Sequence, residues 1–201
     1  MIAMEDGGAP IDGGVYRSRA HAFVPERTYR LTEDALTWEV EGKPLDGVHY
    51  DEISEVRLAY APTRFAQNRY RAQVIFRAGG MAEFFNTTYR GPGVFPEQNI
   101  EYVAFLAALH EVLAMHGRDV RYRQGNSIAA YVGNWLLVTF IAVMLAVVAV
   151  MLFAWGGTWL VIVKLVVVAA LIPVLIRYMK NARPGDYDPR AIPSEVLPKL
   201  T

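Results

Sequence analysis

The chain has 201 residues, 53% of them hydrophobic, with 20 Lys and Arg against 20 Asp and Glu and no cysteine. Disulfides, thiolate catalysis and cysteine-based metal sites are therefore excluded. Residues 1–127 carry 14 Lys and Arg against 17 Asp and Glu, a mildly acidic balance that argues against a nucleic-acid partner, since such domains usually carry a basic face.

Residues 1–24 are expected to be a flexible leader. They are acidic and Gly-rich near the start and lack the basic and apolar regions of a secretory signal. From Pro25 the pattern becomes a series of short β-like runs. Tyr29-Arg30-Leu31 leads into the turn Thr32-Glu33-Asp34. In the next run Leu36, Trp38 and Val40 share one face. Val48-His49-Tyr50 introduces a strand from Ile53 to Tyr60, where Val56, Leu58 and Tyr60 alternate with Glu55, Arg57 and Ala59. Tyr70 to Arg77 places Tyr70, Ala72, Val74 and Phe76 on one face. Ala78-Gly79-Gly80 then turns the chain into a strand centred on Phe84 and Phe85. Period-two alternation with short turns predicts an antiparallel meander with one buried face.

Asn99 to His116 reads as an amphipathic helix that covers the sheet. Val103, Leu106, Leu109, His110 and Leu113 lie near one stripe, with Glu101 and Glu111 away from it. Asn99 is placed to cap its start and Gly117 to end it. The expected fold class is α+β, a small antiparallel sheet or curled barrel with a C-terminal helix over residues 25–117.

This order of elements resembles the bacterial pleckstrin-homology-like domains found in small membrane proteins. The likeness is carried by Tyr29 to Lys43, by Tyr50 to Leu58, by the hairpin around Gly79-Gly80 and by the helix. The resemblance implies a PH-like binding or scaffolding module without catalytic residues, often beside membrane helices. Family members that bind phosphoinositides hold basic residues on the first strand pair and its loop. Here that loop is Thr32-Glu33-Asp34, whose acidity would repel a phosphorylated headgroup and argues against inositol-lipid recognition.

Two apolar runs follow a basic linker at 118–127, and they are expected to form a transmembrane hairpin. Residues 128–154 and 159–178 are each long enough for a hydrocarbon core of about 30 Å. Trp135 and Trp155 mark the ends of the first span, and Trp159 and Tyr178 those of the second, as aromatic belts do at headgroup level. Arg118, Arg121 and Arg123 precede the hairpin, and Arg177, Lys180 and Arg183 follow it. The turn Trp155-Gly156-Gly157-Thr158 is uncharged. The positive-inside rule puts both termini in the cytoplasm, at the inner membrane, with those six basic residues near lipid headgroups. Lys164 is the single intramembrane charge, about 7 Å inside the Trp159 level by helix rise. It has no acidic partner in either span, so its side chain is expected to snorkel to the interface.

The tail at 179–201 is Pro-rich, with Pro184, Pro189, Pro193 and Pro198 precluding a continuous helix. Its interleaved Tyr187, Ile192, Val196 and Leu197 suit docking in a groove of the chain's own domain or of a partner; the other reading is a solvated end.

No catalytic constellation, metal site or cofactor motif is legible. His110 and His116 lie about 120° apart around the helix and are poorly placed to share a metal. His110 reads instead as a satisfied core histidine. Arg57, Arg64, Arg69, Arg71 and Arg77 form the densest basic group of the domain, read either as a solvated sheet face or as a headgroup contact. The functional expectation is a membrane-anchored, non-catalytic interaction or scaffold module that meets the bilayer and a protein partner or further copies of itself. The alternative is a small transport or channel component assembled from hairpins around Lys164.

Overall fold

The computed structural model describes residues 2–3, 9–116, 119–125 and 184–200, with scattered positions between 132 and 151. The chain divides into two compact units, Met1–Gly125 with Gly185–Thr201, and Asn126–Pro184.

Among the described residues of the first unit, ten strands form two sheets of five. One sheet holds β1 (Ile2–Ala3), β2 (Val15–Ser18), β3 (Arg27–Leu31), β4 (Ala35–Val40) and β5 (Asp46–His49), ordered β1-β5-β4-β3-β2. The other holds β6 (Ile53–Tyr60), β7 (Tyr70–Phe76), β8 (Met81–Phe85), β9 (Arg121–Gln124) and β10 (Gly185–Asp186), ordered β10-β9-β6-β7-β8. All pairings are antiparallel except β6 with β9. One helix, α1 (Asn99–His116), lies between β8 and β9 in the chain. A long crossover is what a parallel pair requires, and the stretch between β6 and β9 supplies it with β7, β8 and α1. Two five-stranded sheets with one long helix between β8 and β9 fit a small PH-like sandwich of the α+β class.

A shared core joins the layers. Leu36, Trp38, Ile53, Leu58, Val74 and Phe84 from the strands meet Tyr102, Phe105, Leu106, Leu109 and Leu113 from α1. The expected alternation holds along β7, where Ala72, Val74 and Phe76 are buried and Arg71, Gln73 and Ile75 half-buried. It breaks at the start of β6, where a bulge between Ile53 and Glu55 shifts the register and Ile53 joins Val56 and Leu58 in the core. Hydroxyls tie β2 and β3 of the first sheet to β8 of the second. Tyr16 donates to the Phe85 carbonyl, Tyr29 donates to the Glu83 carbonyl across 2.7 Å, and the Phe85 amide donates to Ser18 Oγ.

Two expectations need correction. The leader does not extend through 15–18: those residues form β2 at the sheet edge, and Tyr16 is buried beside Phe84, Tyr102 and Phe105. The alternation Val15 out, Tyr16 in, Arg17 out, Ser18 in is real, but it spans too few residues to stand out. Arg121–Gln124, expected as linker, is a strand because its backbone completes the open edge of β6. Of the readings left open for the tail, the structure shows docking on the chain's own domain, with Val196 buried and Tyr187, Ile192 and Leu197 packed on the core.

The expected spans fall largely outside the described residues. The positions described between 132 and 151 are helical, and Trp135, Leu136, Phe140, Val150 and Met151 are exposed. Among the described residues, no helix is long and apolar enough to cross a membrane.

Candidate functional site

The most organised polar cluster of the first unit lies where the returning tail meets α1 and β9. His110 sits on the inner face of the helix and is buried. Its Nδ1 is 2.7 Å from the Leu106 carbonyl and its Nε2 is 2.7 Å from the Tyr187 hydroxyl. A carbonyl only accepts, so Nδ1 carries the proton; Nε2 is then the acceptor and Tyr187 donates. Tyr122 of β9 completes a three-ring cluster, its centroid 5.4 Å from that of His110 and 5.8 Å from that of Tyr187. The Tyr187 amide also donates to the Tyr122 carbonyl across 3.1 Å.

Burial sets the protonation of this cluster. It pushes the His110 imidazole below its ordinary range against the opposing pull of the Leu106 carbonyl, so the ring is neutral. Burial also pushes the Tyr187 phenol well up, with Tyr122 adding to the rise. Both ring nitrogens of His110 are thus occupied by the chain itself, and neither is placed for general acid–base work. An open groove beside the cluster is lined by Glu111, Met115, Pro189, Arg190 and Ile192, with one charge of each sign at its rim.

β10 continues the clasp on the backbone. Gly185 stands opposite Gln124, and Asp186 opposite Arg123, in an antiparallel ladder. Arg123 lies 3.5 Å from Asp186 and 3.9 Å from Glu55. Glu55 is in turn the acceptor for Arg57. A buried carboxylate thereby holds guanidinium groups from β6 and β9 together.

The sequence-predicted site residues scatter accordingly. Tyr187, Ile192 and Leu197, read as residues that dock in a groove of the domain or of a partner, pack on the chain's own domain. Arg123, expected at headgroups, is paired with carboxylates, while Arg121 is exposed. Arg118, Lys164, Arg177, Lys180 and Arg183 lie outside the described residues. The basic group of the sheet is also committed: Arg57 pairs with Glu55, Arg71 lies 3.6 Å from Glu83, and Arg77 Nε donates to the Asp51 carbonyl. Arg69, expected in an open loop, is buried, with its guanidinium 3.7 Å from the Phe85 ring centroid. Of that group, Arg64 and Arg77 are exposed. Among the described residues, no group of three His, Asp or Glu side chains is arranged to hold a metal ion.

No protein family matches the chain, and no curated protein matches it. Among solved structures it is similar to a chain in the structure of the Spt16D Pob3N heterodimer, at 13% identity and a TM-score of 0.32. That match covers 57% of this chain, which spans about half (53%) of the other.

Proposed function

We propose that this protein is a membrane-anchored, non-catalytic interaction module of the inner membrane, presenting its sandwich domain to a protein partner at the cytoplasmic face. One observation carries the reading: the chain leaves the domain at Gln124 and comes back at Gly185, its ladder partner on the neighbouring strand. Residues 126–184 are an excursion that begins and ends at one place. A segment with two apolar runs and coincident ends suits a two-span hairpin, because an even number of crossings returns the chain to the side it left. The basic residues on both flanks suit a cytoplasmic location for that side. An interaction role, rather than an enzymatic one, is favoured by a buried histidine whose nitrogens are both spent on structure.

Alkaline extraction and cysteine accessibility test this. The chain has no native cysteine, so Gly156→Cys and Asp188→Cys each report one position. The protein should remain with membranes at alkaline pH. Gly156→Cys should react with an impermeant maleimide in intact cells, and Asp188→Cys only after permeabilisation. Release by alkali, or equal labelling of both sites from outside, overturns the reading.

A further inference from the structure

One end of the sandwich is built differently from the rest, and it is the end from which the excursion departs. β9 runs parallel to β6 with Gln124 beside Leu58, and the Gly125 amide donates to the Leu58 carbonyl. Two residues on, β6 ends at Tyr60 and the loop 61–69 begins, a step of about 7 Å along the strand. Gly185 lies beside Gln124. The exit, the return and the β6–β7 loop therefore share one end.

Two other loops are fastened to this one through arginines. Arg69 reaches from the β6–β7 loop to donate to the Ala20 carbonyl at 3.1 Å, and its guanidinium also lies 5.8 Å from the Phe95 centroid. Arg19 donates to the carbonyls of Ala22 and Val24 and lies 5.3 Å from the Tyr89 centroid. The Tyr89 amide donates to the Arg19 carbonyl, and its ring stacks edge-on against Phe95. The β2–β3, β6–β7 and β8–α1 loops thus share one arginine–aromatic frame.

That frame holds apolar tips out into solvent. Phe23 is 95% exposed, Phe65 62% and Val94 53%. Phe65 lies beside Gly93 and under Arg64. Arg64 and Arg90 are exposed next to these tips. Large aromatics at such exposure on braced loops are costly unless something covers them, since an apolar patch on a rigid scaffold marks a contact surface. Cations interleaved with aromatic tips match the chemistry of a lipid interface, where rings enter the acyl boundary and arginines meet anionic headgroups.

We infer that the loop end carrying Phe23, Phe65 and Val94 docks on the anionic lipid surface of the membrane that anchors the chain. The inference rests on the anchored reading above. It explains why exposed aromatic tips cluster at the exit end; at the Ala78-Gly79 hairpin, at the other end of β7, the exposed large hydrophobic is the aliphatic Met81. The docking would hold the domain in one orientation, leaving the opposite end and the α1 face for a partner.

The test uses the full chain in nanodiscs containing phosphatidylglycerol. Single cysteines replace Phe23, Phe65, Val94 or the control Ala78 and carry an environment-sensitive NBD label. Labels at 23, 65 and 94 should be blue-shifted and quenched several-fold more by doxyl-labelled lipid than the label at 78. Adding Phe23→Asp should reduce quenching at 65, and adding Phe65→Asp should reduce it at 23, with the circular-dichroism spectrum unchanged. Equal quenching at 65 and 78 overturns the inference. So does a blue shift at 65 without lipid quenching, which would mark a protein contact or a second copy. If the chain leaves the membrane at alkaline pH, anchoring itself fails; if it stays while residue 65 is as wet as 78, docking alone fails.

Discussion

The Tyr187 hydroxyl donates to Nε2 of His110 across 2.7 Å, joining residues 77 positions apart in the chain. Between them lies the whole apolar excursion, so this contact and the β9–β10 ladder are where the two ends of that excursion are held together. Tyr187→Phe should keep the ring and lose the hydroxyl, leaving Nε2 of a buried imidazole without a donor. The expected cost is about 1–3 kcal/mol, read as a lower urea midpoint. Amide exchange over residues 185–197 should rise while exchange in β7 stays slow. Unchanged exchange in the tail would show that the contact does not hold it.

Acidification should weaken the same contact. His110 faces Tyr122 and Tyr187 inside the cluster, with Glu111 and Arg190 at the rim of the adjoining groove. Burial depresses its proton affinity in the folded chain below the ordinary 6.5. The unfolded chain therefore binds the proton first, and lowering the pH favours unfolding. The stabilisation is fully present above 6.5 and is lost as pH falls from there to the depressed folded value. The urea midpoint should drop over that window, and His110→Asn, which does not titrate there, should flatten the drop. An identical pH slope in the two proteins would remove His110 as its source.

How far the sequence predicted the structure depended on whether the signal was local. The α1 boundaries, β4, β6 and β7 follow from periodicity within one segment, and His110 was recognisable as a core histidine from its place on the apolar stripe. β2 and β9 were missed for a common reason: each has four residues, and each is a strand because a distant edge needs a partner. Tyr122 and Tyr187 looked like linker and tail aromatics, since nothing near them in sequence shows that β9 joins β6 or that β10 joins β9. Glu55 shares with Arg57 the face that alternation assigns to solvent, and it is buried there by Arg57 and by Arg123 of β9, a strand that nothing near Glu55 in sequence foretells.

Tyr16 supplies a test of the missed edge strand. Its ring lies 5.6–6.0 Å from those of Phe84, Tyr102 and Phe105, and its hydroxyl bonds the Phe85 carbonyl. Tyr16→Ala should cost about 3–5 kcal/mol through the cavity left behind, measured by chemical denaturation. Gly14→Ala should also destabilise, because a Cβ there would lie 2.9 Å from the Ile11 carbonyl oxygen and 3.1 Å from that of Leu31. If both variants melt like the parent, β2 is not part of the folded unit.

Glu55 is the shared acceptor of Arg57 and Arg123, and it is almost wholly buried. Glu55→Gln preserves its shape and removes its charge, leaving two guanidinium groups without their common counterion. Breaking a buried pair costs about 3–5 kcal/mol; both arginines retain some solvent, so the loss should fall near the lower end. The loss should be partly recovered in Glu55→Gln/Arg57→Gln, where one stranded charge is gone. A double variant no more stable than the single one would show that Arg57 does not depend on this carboxylate.

Excision tests the coincident ends most directly. Gln124 and Gly185 are partners in an antiparallel ladder, and such strands can be joined by a two-residue hairpin turn. Replacing residues 126–184 with Asn-Gly or a slightly longer Gly-rich turn should therefore yield a water-soluble domain in which Tyr187 still reaches His110. Removing a long loop also lowers the entropy cost of closing the chain, though only by an amount that grows with the logarithm of its length. The shortened protein should unfold cooperatively, and Tyr187→Phe should destabilise it as it does the full chain. If it is insoluble, or if Tyr187→Phe has no effect in it, the tail's place on the domain depends on the excised segment and the two ends are not held by the clasp alone.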